Sequence, residues 1–272
     1  MCAPILLTMN TSNQAPVAVV TGANSGIGRA TALHLAQHGY TVFGTVRSLD
    51  KAGKLQARAN ELGVTVELIE MDVADDVSVQ RGFADIFLAT DRVDVLVNNA
   101  SAIWLRGILD TPMKRFDLMS QVNSRGTFLC AQKALPYLLK SENPHILTLA
   151  PPPNLDPKWW GSFTGYTLAK MGMSFVTLGL AEEFKGRVAV NALWPKTVIA
   201  TDAINMIPGV DINAARNAEI VADAAIAILL QKFSAATGQF YIDEDLLRDN
   251  GVTDFEQYAM APGTPLLPDF FL

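Results

Sequence analysis

The sequence predicts one α/β domain, a doubly wound Rossmann-type fold with a seven-stranded parallel sheet and helices on both faces. Strand-like apolar segments alternate with helix-like segments along the chain, which is the pattern of repeated βαβ units. A glycine-rich turn joins the first predicted strand to the first predicted helix. Because ligands of such sheets bind beyond the carboxyl ends of the strands, we expect a functional site at that edge.

Apolar periodicity and turn residues give the individual elements. The predicted strands cover residues 15–21, 41–46, 64–71, 93–98, 144–149, 187–193 and 238–242. The predicted helices cover residues 26–37, 50–62 and 75–89, a long stretch after Pro112, residues 163–184 and part of 211–231. Pro112 suits a helix start, and Gly39 suits the end of the first helix.

Three segments fall outside this alternation. The proline-rich passage between the fifth strand and residue 163 is expected to be irregular. Residues 261–272 are rich in proline and apolar residues, so we expect them to pack on the surface or against another subunit. Residues 1–14 lack the basic start and long apolar core of a signal peptide. We expect a loose arm there, followed by a single domain at residues 15–272.

Composition and charge exclude several classes of function. The net charge of −6 disfavours binding to a nucleic-acid backbone, which needs many lysine and arginine contacts. No run of about 18 apolar residues is present, so no membrane span is expected. Cys2 and Cys130 are isolated, which favours a reducing compartment such as the cytoplasm. The three histidines are not grouped with other metal-ligating residues, and we expect no metal site.

The glycine-rich turn at Thr21–Gly28 reads TGANSGIG and is the first candidate binding element. Glycines allow a tight turn and a close approach of the backbone to a ligand. The amide N–H groups and the positive end of the following helix can then face a pyrophosphate. Such a turn is a weak signal by itself, but its place between the first strand and the first helix strengthens the prediction of a dinucleotide site.

The residue after the second strand bears on the type of dinucleotide. An acidic side chain there would bind the 2′-hydroxyl of NAD, whereas a basic one favours the 2′-phosphate of NADP. Arg47 follows the strand directly, and the next residue is Ser48. The sequence therefore favours NADP(H), with NAD still possible, because Arg47 could also be a solvated loop residue.

Tyr166 and Lys170 are the candidate catalytic pair. Their spacing of four residues places both side chains on one face of a helix. A nearby ammonium is expected to lower the pKa of the phenol, which ordinarily lies near 10, towards the range of a general acid/base. A Tyr-x-x-x-Lys pair is common in amphipathic helices, so its weight comes from its place beside the predicted cofactor cleft.

Taken in order, these motifs resemble the short-chain dehydrogenase/reductase family over nearly the whole chain. The matching features are TGANSGIG at Thr21–Gly28, Asp72 after the third strand, NNAS at Asn98–Ser101, Asn123, and YTLAK at Tyr166–Lys170. The segment NALWPKTVIAT also resembles a family motif, although Lys196 stands where glycine is usual. Some members of the group that this chain resembles continue into a sterol-carrier-like domain, and we expect only the dehydrogenase part here.

The resemblance implies cofactor contacts for individual residues. The residues that would surround the pyrophosphate are Gly22, Ser25, Gly26, Ile27 and Gly28. Asp72 would meet the adenine, Asn98 would line the adenosine ribose pocket, and Ala100 beside it would also contact the cofactor. Ile199 and Thr201 would contact the carboxamide and the phosphates.

The resemblance also implies catalytic roles, and it shows one position at which this sequence departs from the family pattern. Tyr166 would exchange a proton with the substrate oxygen, Lys170 would hold the nicotinamide ribose, and Asn123 would anchor a water relay. The family usually has a serine about 13 residues before the tyrosine, which donates a hydrogen bond to the substrate oxygen. Here the matching position is Pro151 or Pro153, depending on the alignment, and proline offers neither a hydroxyl nor an N–H.

Three side chains are candidates to replace that serine. The amide of Asn154 is preferred, because an amide N–H can polarise a carbonyl and the residue directly follows the prolines. Ser162 and Thr164 lie closer to the tyrosine, but both also suit helix capping. It is equally open that no side chain replaces the serine.

The leading hypothesis is an NADP(H)-dependent oxidoreductase that interconverts a lipophilic carbonyl and a secondary alcohol. Trp159, Trp160 and Phe163 could line an apolar substrate pocket, or could serve packing or a subunit contact. The alternative is a dinucleotide-binding protein with little turnover, since the usual serine is absent. An epimerase or dehydratase is less favoured, because such enzymes usually carry a larger substrate domain. The resemblance also implies a homodimer or homotetramer.

Overall fold

A seven-stranded parallel sheet forms the middle of the domain, which confirms the predicted fold class. The computed structural model describes residues 15–206 and 209–272, so the predicted arm at residues 1–14 lies outside the described residues. The strands are β1 (Val17–Val20), β2 (Thr41–Val46), β3 (Glu67–Glu70), β4 (Val95–Asn98), β5 (His145–Leu149), β6 (Ala189–Trp194) and β7 (Phe240–Ile242). They lie in the order β3-β2-β1-β4-β5-β6-β7. The order in which the strands are added reverses between β1 and β4, and sheets of this kind open a ligand crevice at such a point.

Helices connect the strands. They are α1 (Gly26–Gln37), α2 (Gly53–Leu62), α3 (Asp76–Ala89), α4 (Met113–Met119), α5 (Gly126–Leu138), α6 (Pro157–Ser162), α7 (Thr164–Glu183), α8 (Glu219–Leu229) and α9 (Asp243–Asp249). A π-helical segment at Ser120–Arg125 joins α4 to α5, so the predicted long helix after Pro112 is continuous but not uniform. None of the described helices is both long enough and apolar enough to cross a membrane.

Two hydrophobic cores, one on each face of the sheet, hold these layers together. Successive side chains of a strand point to opposite faces. Accordingly, Ala18 and Val20 of β1 join the core that contains buried residues of α1 and α8. Val17 and Val19 join the core that contains buried residues of α3 and α5. The predicted arrangement of helices on both faces is therefore confirmed.

The structure differs from the predicted elements in three places. The passage expected to be irregular contains α6, whose start is favoured by Pro157 and by the Asp156 carboxylate, which accepts a hydrogen bond of 3.0 Å from Lys158 N–H. Helix α9 was not predicted; its first turn contains three acidic residues, which favour a helix start. The helix predicted from residue 50 begins as a 3₁₀ turn at Leu49–Lys51, and the α-helix follows from Gly53.

The expectation that residues 261–272 pack on the surface or against another subunit is wrong for the last part of that stretch. Residues 268–271, here called the PDFF segment, return to the carboxyl edge of the sheet. Phe271 is only 1% exposed and lies in a core cluster that includes Tyr166 and Trp194. The segment folds inward because its two phenylalanine rings pack against aromatic residues of the same domain.

Candidate functional site

A cleft of about 630 Å³ opens at the carboxyl edge of the sheet. Its walls come from the loops that follow β1, β2, β3, β4 and β6, and from helix α7. The predicted site residues that line it are Gly22, Ser25, Gly26, Ile27, Arg47, Asp72, Ala100, Tyr166, Lys170, Ile199 and Thr201. Four predicted residues do not line it, namely Gly28, Asn98, Asn123 and Asn154. The cleft thus brings together the glycine-rich turn and the tyrosine–lysine pair, which are far apart in the sequence.

The glycine-rich turn is packed against the chain that follows β4. Thr21 Oγ1 accepts hydrogen bonds of 3.0 Å from the N–H groups of both Asn99 and Ala100. Gly22 has a φ of +67°, a conformation that glycine adopts without steric cost. A Cβ atom at Gly28 would lie 2.3 Å from Asn99 Nδ2 and 2.4 Å from the Gly22 carbonyl oxygen. The role of Gly28 in this structure is therefore to let the helix approach the turn closely.

Substitution of Gly28 by alanine is expected to lower the free energy of unfolding by about 2 kcal/mol, because an added methyl group overpacks a site that cannot yield without moving backbone. Gly53→Ala is the matched control, since Gly53 also lies near a helix start and its added Cβ would meet nothing within 4 Å. We expect a change within about 0.5 kcal/mol for the control. Urea unfolding of both variants checks the prediction, and equal stability of the two would contradict it.

Arg47 and Asp72 lie where the sequence placed them, at the ends of β2 and beyond β3. Arg47 is exposed, and none of the described carboxylates forms an ion pair with it. Its guanidinium is therefore free to meet an anion in the cleft. Asp72 Oδ1 accepts a hydrogen bond of 3.0 Å from Ala74 N–H, which holds its side chain at the cleft wall.

In the NNAS motif the structure places Asn99, rather than Asn98, at the cleft. Asn98 is 1% exposed, and no described group bonds either its Oδ1 or its Nδ2. Asn99 Nδ2 donates hydrogen bonds to the carbonyl oxygens of Thr21 (2.8 Å) and Gly22 (3.2 Å). Sequence reasoning missed Asn99, although it is a neighbour in the same motif, because nothing in the motif shows which asparagine faces the ligand.

Tyr166 and Lys170 both lie on α7 and are almost fully buried, at 5% and 4% exposure. Lys170 Nζ donates a hydrogen bond of 2.8 Å to the Leu149 carbonyl oxygen at the end of β5, and it lies 5.0 Å from the centroid of the Trp194 ring. Burial lowers the pKa of Lys170 to about 8, while the nearby Asp269 carboxylate acts in the opposite direction. The lysine charge is thus held at the floor of the cleft.

The direction of the Tyr166 pKa differs from the sequence-based expectation. Burial raises the pKa of the phenol above its ordinary value, and the Asp269 carboxylate raises it further. The expected lowering by Lys170 is not seen, and removal of the phenol from water is the larger of the two influences that raise the pKa. In this structure the phenol therefore stays protonated at neutral pH.

Asn123 lies in the π-helical segment and is fully buried. Its Oδ1 accepts a hydrogen bond of 2.7 Å from Ala102 N–H, and its Nδ2 donates one of 3.0 Å to the Ala102 carbonyl oxygen. Both polar ends of the side chain are therefore used to fix the chain that follows β4. The role in a water relay stays a prediction.

The three candidate replacements for the family's serine are all engaged with backbone carbonyl groups. Asn154 Nδ2 donates to Phe271 O at 3.0 Å, Ser162 Oγ to Lys158 O at 3.0 Å, and Thr164 Oγ1 to Trp160 O at 2.7 Å. None of the three lines the cleft. The structure thus assigns each of these donors a bond within the fold.

The aromatic residues of α6 and its neighbourhood pack mainly against the PDFF segment. The ring centroids of Trp159 and Phe271 are 5.5 Å apart, and those of Phe163 and Phe270 are 5.2 Å apart. Phe270 and Asp269 themselves line the cleft, together with Trp194. Sequence analysis did not single out these two residues of the PDFF segment. The one available signal was a lone acid in an otherwise apolar stretch.

Comparison with known proteins agrees with this geometry. The model of the short chain dehydrogenase family matches residues 16–207. Hydroxysteroid dehydrogenase-like protein 2 from Danio rerio is 48% identical over 93% of this chain, which spans 63% of that relative's length. A solved structure from Xanthomonas campestris, described as a dehydrogenase, is 52% identical with a TM-score of 0.89, covering 94% of this chain and 97% of that one.

A more distant solved structure contains a dinucleotide. It is described as an NAD(P)-dependent gluconate 5-dehydrogenase from Beutenbergia cavernae with bound NADP. It is 28% identical with a TM-score of 0.70, covering 85% of this chain and 96% of that one. The fold, the ordered motifs and the family match together lead to one conclusion: the chain belongs to the short-chain dehydrogenase/reductase family, and it is an oxidoreductase of that class.

Proposed function

We propose that the chain is an NADP(H)-dependent oxidoreductase that interconverts a lipophilic carbonyl compound and a secondary alcohol, with Tyr166 as general acid/base. The observation that carries the proposal is that Tyr166 and Lys170 line the same cleft as the glycine-rich turn and Arg47. A proton-transfer group and an anion-binding loop thus open onto one space. That combination suits hydride chemistry on a nicotinamide dinucleotide.

The residues of the cleft fit a dinucleotide. The tight turn at Gly22 leaves its backbone accessible to a pyrophosphate, and Arg47 offers an unpaired positive charge for a 2′-phosphate. Asp72 would meet the adenine, Ile199 and Thr201 the carboxamide and phosphates, and Lys170 the nicotinamide ribose. When bound, the nicotinamide supplies or accepts the hydride.

Tyr166 handles the proton in this proposal. In the direction of alcohol formation its protonated phenol donates to the substrate oxygen as the carbon gains a hydride, and in the reverse direction the phenolate accepts that proton. The raised pKa of Tyr166 keeps the phenol protonated, which suits the reductive direction. Lys170, held 2.8 Å from the Leu149 carbonyl, provides a fixed positive charge nearby that stabilises the developing phenolate.

The substrate class is inferred from the apolar side of the cleft. Ile103, Trp194 and Phe270 line it and belong to the apolar cluster that contains Tyr166, and Leu118 and Val122 line it as well. An apolar pocket with few polar groups favours a lipophilic ligand.

The outer surface of the domain bears on the oligomeric state. Large apolar side chains are exposed on α5 and α7, namely Phe128, Phe175 and Leu178. We propose that these two helices join copies of the chain in a homodimer or homotetramer.

Cofactor preference depends on Arg47 in this proposal. Arg47→Ala is expected to weaken NADPH binding on the order of 10-fold to 100-fold and to leave NADH binding within about threefold, because only NADPH carries the 2′-phosphate. Lys54→Ala is the control, since Lys54 is an exposed cation on α2 outside the cleft. Fluorescence titration with each cofactor measures both constants. Equal weakening of NADPH and NADH would remove Arg47 from the phosphate role.

A further inference from the structure

A carbonyl oxygen that gains negative charge in the transition state is stabilised by hydrogen-bond donors besides the acid that protonates it. The side chains of Asn154, Ser162 and Thr164 do not reach this position, because none of them lines the cleft and each donates to a backbone carbonyl elsewhere. Any second donor therefore comes from the side chains that line the cleft, which include Ser101 and Asp269. Asp269 is the polar side chain that the PDFF segment brings there, beside Tyr166 and Lys170.

The backbone of the PDFF segment is held on both sides of Asp269. Pro268 forms an antiparallel bridge with Thr197, and Asp269 N–H donates a hydrogen bond of 3.1 Å to the Lys196 carbonyl oxygen. On the other side, Trp194 Nε1 donates a hydrogen bond of 2.8 Å to the Phe270 carbonyl oxygen. Asp269 therefore has a fixed backbone position at the cleft, which is what a positioned hydrogen-bonding group needs.

The carboxyl group has one internal hydrogen bond and one open oxygen. Asp269 Oδ1 accepts a hydrogen bond of 2.7 Å from Phe270 N–H, whereas no described donor bonds Oδ2. Burial raises the pKa of Asp269 to about 7, and the Asp243 carboxylate raises it while Lys170 lowers it. The charged groups that act on it are thus Lys170 from α7 and Asp243 from α9, and Asp269 in turn raises the pKa of Tyr166. At neutral pH a large fraction of Asp269 is the neutral acid.

We propose that the Asp269 carboxyl group, fixed at the cleft wall with Tyr166, donates a hydrogen bond to the substrate oxygen. The inference rests on the proposed function of the same cleft. During reduction the substrate carbon gains the hydride and its oxygen takes the proton of Tyr166, while Asp269 donates a hydrogen bond to that oxygen; a proton from solvent then restores the phenol. The ionised carboxylate has no proton to donate and repels a developing oxyanion. Ketone reduction is therefore fastest below pH 7 and falls as the pH rises through about 7, where Asp269 loses its proton.

The test compares Asp269→Asn with Asp269→Ala in the full chain, using NADPH and the ketone that a panel of aliphatic and alicyclic ketones shows to turn over fastest. The asparagine amide donates at every pH, so its kcat should stay within about threefold of the parent at pH 6 and should lose the decline near pH 7. The decline that belongs to Lys170, whose pKa is about 8, should remain. Alanine removes the donor and should lower kcat on the order of 100-fold.

Two controls separate the role proposed for Asp269 from other causes of a changed rate. Asp249→Asn changes an exposed carboxylate on α9 outside the cleft and should leave the pH profile as it is. NADPH titration of each variant shows whether the cofactor site is intact. The proposal is overturned if Asp269→Ala keeps the parent kcat, or if Asp269→Asn is as slow as Asp269→Ala, since the charge and not the donor would then matter.

The outcome remains decisive if the alanine variant does not fold, because the pH profile of the nearly isosteric asparagine variant tests the same donor. A decline near pH 7 that persists in that variant also contradicts the proposal. Failure of the proposed function would look different. In that case the parent protein would bind NADPH and reduce no ketone in the panel, whichever residue stands at position 269.

Discussion

Tyr166→Phe is expected to lower ketone reduction on the order of 1,000-fold and to leave NADPH binding within about threefold. Loss of a positioned general acid typically costs between about 100-fold and 10,000-fold. The hydroxyl forms no hydrogen bond with another described side chain or backbone group, so its removal takes no internal bond from the fold. Initial rates with NADPH and the fastest ketone, together with cofactor titration, measure the two effects separately.

The control for this substitution is Tyr241→Phe, which removes a phenol hydroxyl on β7 outside the cleft. Its turnover should match that of the parent protein. Turnover by Tyr166→Phe that equals the parent with every ketone, while NADPH still binds, would refute the acid/base mechanism. A parallel loss of NADPH binding would instead show that Tyr166 acts on the cofactor site.

Phe271→Ala is expected to lower the free energy of unfolding by about 3 kcal/mol, because it removes a fully buried aromatic side chain and leaves a cavity. The Phe271 ring lies 6.2 Å from the Tyr166 ring, 5.5 Å from the Trp159 ring and 6.0 Å from the Trp194 ring, measured between centroids. Turnover should fall as well, since Tyr166 loses a packing partner. Urea unfolding and initial rates test both parts.

The adjacent position provides the control. Leu272 is 40% exposed, and its backbone carbonyl would keep its contact with Lys158 in Leu272→Ala. We expect that variant to differ from the parent by less than about 0.5 kcal/mol. If Phe271→Ala lowers the free energy of unfolding no more than Leu272→Ala does, the PDFF segment contributes no core packing.

The fold could be predicted from the sequence because its signals are local. Helix α1 and strand β2 have the predicted bounds, since glycines and a change of apolar period mark both ends. Tyr166 and Lys170 could be paired from their spacing alone, because a helix places residues four apart on one face. The glycine-rich turn and Arg47 were placed at the cleft for a similar reason, as the edge of a parallel sheet collects the ends of its strands.

The rest of the site depends on contacts that leave no local signal. Asp269 reaches the cleft through a backbone hydrogen bond with Lys196, and backbone bonds have no residue signature. The side chain of Asn154 is bonded to Phe271 O, 117 residues along the chain. The rise in the Tyr166 pKa has the same origin, because it comes first from burial among residues distant in the sequence and second from the Asp269 carboxylate.

The π-helical segment at Ser120–Arg125 has a consequence for the helix that contains it. A regular α-helix turns by about 100° per residue, so its apolar stripe keeps one angular direction over a few turns. A π-helical turn contains more residues than an α-helical turn, so it changes the direction, around the helix axis, of the side chains that follow it. Met119, before these wider turns, packs in the aromatic cluster around Tyr166, and Leu129, beyond them, packs in the core that contains residues of α3 and α5. The continuous helix therefore contributes side chains to two cores, with the π-helical segment between the two contacts.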